Sequence, residues 1–436
     1  MSISQNFPNT RPSLNLNFAR SKTLDPRITF TRTSTGTYVD ESGVIRNAVA
    51  DEPRFDHDPV TGECLGLLIE EQKTNLIRNN TMQGAVVGTP GTAPTYWSFG
   101  TSTGGISREI VGVGEEDGIS YIDVRWYGTA TTNPITYFSF NPESNNSSFP
   151  GTRTVRYTFS NYIKVVGGTV PSSSTFIVVF YNFNSSFVNL QQYQVLNIPL
   201  TDTLNKKLIE NRYSYTNGDF ASTDTAYIRP YYQWNFTYNE PIDITLRIGM
   251  PQVELSSFAS SVIPTEGSTK TRAKEYPTVS GTNFTDFYNP NEGTFYIKYN
   301  IEGFYLTDGF NRIFEVSDGG GVNRYTALLR GINQDIYDSG WNISLNFNTS
   351  LITFGDFYTY IMGYKENDFQ RYAIDRNGDI DSNTDTSVAV SSFIPTELNI
   401  GYEAINDIRQ LNGHISQLVY YPSRLSNSQL QTLLLQ

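Results

Sequence analysis

Two histidines, His57 and His414, limit the catalytic chemistry available to this chain of 436 residues. A Ser-His-Asp triad would need one of them, and neither stands in a nucleophile motif such as G-x-S-x-G. Asp56 and Asp58 flank His57, so the three side chains could hold a protonated imidazole or bind a metal ion. We expect a structural turn instead, because zinc needs more His or Cys ligands than two histidines and one cysteine supply. The sequence therefore predicts neither an enzyme nor a cofactor.

Oxygen-bearing side chains alternate along Asp375–Asp381, as the ligands of calcium loops do. Ile380 stands where an EF-hand needs glycine, and Thr386 stands where it needs a carboxylate. The alternative is a hairpin whose turn is Asn377-Gly378, a strong hairpin signal. We favour the hairpin and predict no metal site.

Paired carboxylates could also hydrolyse glycosidic bonds, which would make the chain a polysaccharide-degrading enzyme. Sandwich-fold glycosidases often carry an E-x-D-x-x-E strand. Glu115-Glu116-Asp117 comes closest to it, but Ser120 occupies the last position of the pattern. We therefore consider hydrolysis of polysaccharides less well supported than a non-enzymatic function.

Aromatic side chains offer a different chemistry, the binding of sugars. Sugars present apolar C–H faces that stack on aromatic rings, while nearby polar groups satisfy their hydroxyls. An aromatic ring in a β-sandwich is more often part of the core, so both interpretations stay open. The best surface candidates follow Arg229 and Pro230. The predicted glycan-binding residues are Trp97, Trp126, Tyr127, Tyr231, Tyr232 and Trp234.

The elements that must position these residues are strands. Tyr and Phe occur 29 and 27 times, and charged residues make up only 17% of the chain. Such a composition suits pleated, half-buried surfaces, and long helical periodicity is hard to find. Period-two alternation in Thr154–Val165 and in Ile242–Ile248 predicts half-buried strands, and the apolar run Phe176–Tyr181 predicts a central one. We predict an all-β fold.

Charge and hydropathy exclude several partners. A formal net charge of -12 disfavours nonspecific binding to nucleic acid. No apolar run is long enough to cross a bilayer, and the first residues lack the pattern of a signal peptide. We expect a protein that binds no nucleic acid and does not insert into membranes.

The most specific stretch is Leu24–Leu76, in which turn residues separate short apolar or β-branched runs. It resembles an N-terminal region of bacteriophage virion proteins, mostly tail fibres and tail-associated proteins. The matching residues are Asp25-Pro26-Arg27, Thr29 to Arg32, Thr37 to Asp40 and Pro53 to Leu76. The resemblance implies a virion-docking region, with docking residues Arg27, Arg32, Arg54, Phe55 and His57.

Two further resemblances concern the rest of the chain. Asn75–Asn79, Tyr157–Tyr162 and the closing Ile248–Glu254 and Phe258–Thr265 resemble carbohydrate-binding-module-like jelly rolls of phage tail proteins. The ending, with Gly413-His414-Ile415 and then Tyr421 to Ser426, resembles a concanavalin A-like sandwich of the laminin-G type. Ser426 and Gln429 form a capping-box pattern, which predicts a short C-terminal helix.

Together these features predict a phage structural protein, a tail fibre or tail-associated adhesin that contacts host surface glycans. The alternative is an architectural head-decoration, head-fibre or tail-hub protein. We expect assembly in the bacterial cytoplasm into the virion, a homotrimer, and contacts with other virion proteins through the N-terminal region. The expected parts are a docking region 1–75, a jelly-roll sandwich 76–265, a linker 266–276 and a concanavalin A-like sandwich 277–436.

Overall fold

The structure is a computed structural model. It describes residues 11–435 except 101–103, 141–147, 154, 217–221, 305–309, 320–323, 331–332, 339–344, 347–352, 375–377, 379, 387–393 and 405–408.

The strands are β1 (Leu14–Asn17), β2 (Thr29–Thr31), β3 (Gly36–Val39), β4 (Ile45–Ala48), β5 (Phe55–His57), β6 (Cys64–Ile69), β7 (Lys73–Asn75), β8 (Trp97–Phe99), β9 (Ile106–Glu116), β10 (Ile119–Thr129), β11 (Ile135–Phe140), β12 (Phe149–Pro150), β13 (Tyr157–Thr169), β14 (Thr175–Phe183), β15 (Asn189–Asn197), β16 (Arg212–Thr216), β17 (Tyr227–Asn235), β18 (Pro241–Leu255), β19 (Lys270–Arg272), β20 (Tyr276–Ser280), β21 (Glu292–Asn300), β22 (Phe310–Ser317), β23 (Arg324–Arg330), β24 (Asn333–Asp338), β25 (Leu345–Asn346), β26 (Phe357–Lys365), β27 (Asp368–Ile374), β28 (Ile380–Asp385), β29 (Glu397–Ile400) and β30 (Gly413–Tyr421). The helices are α1 (Phe18–Ser21), α2 (Thr282–Thr285) and α3 (Asn427–Leu434), with 3-10 turns at Leu200–Thr203 and Leu208–Glu210.

Strands dominate this chain, and the all-β prediction is confirmed. The chain divides into two compact units. Unit 1 comprises Met1–Glu41, Asn47–Gln72 and Ala273–Gln436, and unit 2 comprises Ser42–Arg46 and Lys73–Arg272. Within the described ranges, no helix is long and apolar enough to cross a membrane.

Unit 1 is a sandwich of two antiparallel sheets. One has the order β28-β27-β26-β21-β30-β6-β5, with β1 also pairing to β30, and the other has the order β2-β20-β29-β22-β23-β24-β25. Apolar side chains of both sheets, such as Ile297 and Phe314, form the core between them. Four strands of the expected docking region, β1, β2, β5 and β6, thus belong to these sheets. Leu14, Leu16 and Leu67 are buried in this core.

Helix α3 covers the other face of the first sheet of unit 1. Leu430, Leu433 and Leu434 pack there against Ile361 and Val419. The capping box forms as predicted, because the Ser426 side chain accepts from the backbone N–H of Gln429 and the Gln429 side chain accepts from the backbone of Ser426. The predicted helix is therefore confirmed.

Strands β27 and β28, which flank the predicted hairpin turn, pair antiparallel with Ile374 opposite Ile380. Residues 375–377 and 379 lie outside the described residues. They include Asn377 of the predicted turn and three of the oxygen-bearing side chains of the calcium alternative, so both the turn and its alternative stay predictions.

Unit 2 is also a two-sheet sandwich. A five-stranded sheet has the order β16-β13-β18-β10-β9, and a six-stranded sheet has the order β15-β14-β17-β11-β8, with β12 pairing to β17. Ile244 and Leu246 of β18 face Phe180 and Trp234 of the other sheet in the core. Strand β14 lies between β15 and β17, as the apolar run predicted. Strand β13 differs from the prediction, because Tyr157–Ile163 is buried on both faces.

The expected linker 266–276 contains ordered structure. Lys270–Arg272 form β19, which pairs with β7. Glu275 is fully buried and pairs with two arginines of unit 1. The segment is thus mixed, because Arg272 and Glu275 are buried while Glu266 and Ser268 to Thr271 are exposed.

Candidate functional site

The six-stranded sheet of unit 2 carries a row of aromatic and polar side chains on the face turned away from the main core. Because successive side chains of a strand point to opposite faces, β17 sends Tyr232 and Trp234 into the core. The same alternation places Arg229 and Tyr231 on the other face. Strand register then sets Tyr181 of β14 opposite Arg229, and Ser139 of β11 opposite Tyr231.

These side chains surround a cavity of about 250 Å³. Its size lies just below the roughly 300–1,000 Å³ common for small-molecule sites. Three tyrosines, a phenylalanine, an arginine and two small polar residues line it. The lining residues are Tyr137, Ser139, Tyr181, Phe183, Asn189, Arg229 and Tyr231.

The aromatic rings of the cavity hold one another in position. Tyr181 stacks on Tyr231 with ring centroids 5.3 Å apart and planes 15° apart. Tyr137 lies 5.7 Å from Tyr231 at 54° and is 51% exposed. Tyr137 therefore presents a ring to solvent, while Tyr231 supports it from beneath.

Arg229 supplies the positive charge of the cavity. Its guanidinium lies 4.4 Å from the ring centroid of Phe183, and its Nε donates to Ser148 Oγ at 3.3 Å. Burial lowers the pKa of Arg229, and the nearby tyrosine hydroxyls act in the opposite direction. Burial, together with a hydrogen bond to Tyr181, raises the pKa of Tyr231 strongly, so its hydroxyl keeps its proton.

Most of the predicted glycan-binding residues lie elsewhere, and their assignment needs correction. Trp97, Trp126, Tyr232 and Trp234 are buried in the core of unit 2, at 5%, 2%, 0% and 1% exposure. A ring without an exposed face cannot stack on a sugar that arrives from solvent. Tyr231 lies in the cavity wall.

Tyr127 lies on the five-stranded sheet, apart from the residues that line the cavity. It is partly exposed, and the Arg125 guanidinium covers its ring at 5.0 Å. It therefore does not contribute to the aromatic row of the six-stranded sheet.

Sequence reasoning did not select most of the residues that line the cavity. Tyr137, Tyr181, Phe183, Ser139 and Asn189 come from β11 and from the paired strands β14 and β15, which lie more than 30 residues further along the chain. One local signal was present. In Arg229-Pro230-Tyr231-Tyr232, period-two alternation separates the two tyrosines and places Tyr231 on the same face as Arg229.

The docking assignment of Arg32 and Arg54 also needs correction. Both side chains are fully buried in unit 1, where they pair with acidic residues of the same chain. Arg54 Nη1 lies 2.8 Å from Glu70 Oε2, and Arg54 Nη2 lies 2.5 Å from Glu275 Oε1. Arg32 Nη1 lies 3.4 Å from the same Glu275 oxygen. Buried and paired groups are not accessible to another protein.

The remaining docking residues are partly or wholly internal. His57 is buried, with Nδ1 3.0 Å from the Val39 carbonyl oxygen, and Phe55 packs against the core of unit 1. Arg27 is partly exposed and pairs with Asp25 at 2.8 Å. In the described residues no group of three or more His, Cys, Asp or Glu could hold a metal ion.

Unit 1 has an open cleft of about 480 Å³ on its second sheet. Tyr276 and Tyr402 meet edge to face in its wall, with ring centroids 5.1 Å apart. Tyr402 Oη donates to Asn399 Oδ1 at 2.7 Å, and Asn399 Nδ2 donates to Glu397 Oε1 at 2.8 Å. The polar groups of this cleft thus largely satisfy one another.

No protein-family profile matches the sequence, and no curated protein matches it. Several solved structures do. The carbohydrate-binding module CBM40 of Ruminococcus gnavus IT-sialidase, bound to α2,3-sialyllactose, matches with 13% identity and a TM-score of 0.30, over 35% of this chain and 86% of that chain. Trypanosoma rangeli sialidase matches with 11% identity and a TM-score of 0.29, over 77% and 63%. The alginate lyase AlgAT5, of polysaccharide lyase family 7, matches with 14% identity and a TM-score of 0.23, over 39% and 74%.

All three TM-scores are 0.30 or lower, so we base neither a fold nor a function on these likenesses. Because a sialidase and an alginate lyase are among the matched structures, the prediction that the chain is not an enzyme does not stand.

Proposed function

We propose that the chain is a glycan-binding protein that holds a sugar in the aromatic cavity of unit 2. One observation carries the proposal. The exposed ring of Tyr137 borders a cavity of about 250 Å³ that is also lined by the stacked pair Tyr181 and Tyr231. A cavity of this size accommodates one or two sugar rings.

The lining matches the two chemical needs of a sugar. Aromatic rings offer large apolar surfaces with a polar tip, and Tyr137 can cover the C–H face of a pyranose. Ser139 and Asn189 offer a hydroxyl and an amide, which donate to and accept from sugar hydroxyls. Few polar groups among apolar walls are typical of small-ligand sites.

We further propose that the chain acts as a bacteriophage tail fibre or tail-associated adhesin that contacts host surface glycans. The close resemblance of residues 24–76 to the N-terminal region of phage virion proteins supports it. A homotrimer in the virion, attached to other virion proteins through the N-terminal segment, belongs to the same proposal. Docking then uses exposed groups of that segment, since Arg32, Arg54 and His57 are buried.

The variant Tyr137→Ala tests glycan binding. Removing the exposed ring should weaken the affinity for the best ligand on a glycan array about tenfold, equivalent to about 1.4 kcal/mol. Calorimetry with the full chain measures the change. Tyr238→Ala is the matched control, because Tyr238 is an exposed tyrosine of unit 2, at 62%, that does not line the cavity. Equal affinity of the two variants would refute the site.

Localisation in the particle tests the adhesin proposal. Gold-labelled antibody against the chain should mark the tail, and the purified chain should bind host cells. A label on the capsid, together with no binding to cells or glycans, would instead support the architectural alternative.

A further inference from the structure

We propose that the cavity of unit 2 selects anionic glycans, with Arg229 contacting a carboxylate or sulfate group on a sugar. This inference rests on the proposed glycan-binding function and names the ligand class of the same site. Arg229 is the one cationic side chain among the seven described residues that line the cavity.

The position of Arg229 supports this role. Its guanidinium lies over Phe183, and the residue directly opposite on the neighbouring strand is Tyr181. The Phe183 ring and the Ser148 hydroxyl, which accepts from Nε, hold the guanidinium beside the cavity. Guanidinium groups bind carboxylate and sulfate-like oxyanions through two parallel hydrogen bonds, which adds geometric specificity to the attraction.

The charges of the lining residues also support an anionic ligand. Among the described residues, the lining includes one arginine and no carboxylate, in a chain whose formal net charge is -12. Long-range attraction cannot bring an anion to such a chain, because the overall field repels it. A local cation must therefore supply the selectivity.

Partial burial strengthens the local interaction. Desolvation lowers the pKa of Arg229, which means that the charged form has lost part of its hydration. An anion that enters the cavity replaces that hydration in a medium of lower dielectric constant than water, where the attraction is several times stronger. Neutral sugars carry no charge and therefore gain nothing from this electrostatic attraction.

An array of neutral, carboxylated and sulfated oligosaccharides, matched in length and backbone, tests the inference with the full chain. We expect the wild type to bind at least one anionic series about tenfold more tightly than its neutral counterpart. The carboxylated and sulfated series distinguish the two sources of negative charge. Arg229→Met should remove the preference, because the charge that distinguishes the anionic from the neutral series is gone, and Arg229→Lys should retain part of it.

Lys206→Met is the control, because it removes one exposed positive charge of unit 2 outside the cavity. It should keep the full preference. Equal binding of neutral and anionic series by the wild type, or an unchanged preference in Arg229→Met, would overturn the inference and leave the proposed function intact. Binding to no glycan of any series would overturn the proposed function itself.

Discussion

The charged side chain of Arg54 is fully buried in unit 1, although burial of a charged group is energetically unfavourable. Desolvation opposes its charge, but the carboxylates of Glu275 and Glu70 outweigh that effect and raise its pKa. The cation therefore stays charged inside unit 1. Removing one partner of such a pair leaves the other partner buried and uncompensated, which is the costly case.

Arg54→Met should accordingly destabilise unit 1 by about 3–5 kcal/mol. Urea unfolding of the full chain, followed by fluorescence, measures the free energy of unfolding. The control is Lys22→Met, because Lys22 and Glu41 form an exposed pair, with side chains 43% and 70% exposed. Exposed pairs contribute little, so the control should unfold like the wild type. A similar loss in both variants would contradict this account of Arg54.

The sequence alone could not show whether Arg54 is a buried structural residue or a docking residue. Nothing in the local sequence reveals that Glu275, 221 positions away, supplies a partner. The two adjacent tyrosines Tyr231 and Tyr232 are the opposite case. Alternation assigns them to opposite faces, but it does not say which face is the core.

Charged side chains also connect neighbouring elements of unit 2. Asp123 of β10, Arg247 of β18 and Lys164 of β13 stand directly opposite one another across three strands. Glu116, at the end of β9, accepts from Arg247 and from Lys164. The row thus ties four strands of the five-stranded sheet together on one face.

This row predicts a pH dependence. Burial tends to raise the pKa of Glu116, but hydrogen bonds from Arg247 and Lys164 prevail and lower it below its usual 4.5. A lowered folded-state pKa means that the unfolded chain binds the proton more tightly. The contribution is therefore complete well above pH 4.5, and it is lost as the pH falls from about 4.5 through the folded-state pKa.

Glu116→Gln should lower the free energy of unfolding of unit 2 by about 1 kcal/mol at pH 7, after allowing for partial exposure. The difference from the wild type should shrink as the pH falls, because the wild-type carboxyl becomes protonated. Thermal unfolding at pH 7 and at several lower pH values measures the difference. Glu115→Gln is the control, since Glu115 is exposed and adjacent, and it should change the stability at none of them. A difference that did not shrink as the pH fell would exclude the ionic explanation.

The sequence was most informative about individual strands and helices. The strands β14 and β18 and the capped helix α3 follow from local alternation, apolar runs and one capping box. The prediction for β13 was wrong about its second face, because side chains from distant segments cover it. Thr203 Oγ1, for example, accepts from the Val165 backbone at 3.0 Å. Such coverage depends on the tertiary fold, which local periodicity does not encode.

The two units differ in the number of chain segments from which their sheets are built. The sheets of unit 2 are built within Lys73–Arg272, whereas unit 1 combines residues before 73 with residues after 272. We therefore expect a fragment of residues 73–272 to fold alone and to bind the glycan as tightly as the full chain. The fragment 273–436, which lacks β1, β2, β5 and β6, should not unfold cooperatively.

Circular dichroism with thermal unfolding, and calorimetric titration with the best glycan, check the two fragments. The fragment 73–272 also lacks Ser42–Arg46, whose Ile45 N–H donates to the Asp117 carbonyl oxygen. We expect that loss to lower its melting temperature without preventing folding. Cooperative unfolding of 273–436 would show that the N-terminal strands are dispensable.

The pairing of β1 with β30 also fixes an order of events during synthesis. Asn15 and Gln417 are 402 positions apart and bond to each other across this pair. At about 5–20 residues per second, the ribosome completes β30 about 20–80 s after β1 has been made. Unit 2 can close its sheets within that interval, while the early strands of unit 1 keep unpaired edges. The most aggregation-prone period of this protein therefore falls before translation reaches β30, and it belongs to unit 1 alone.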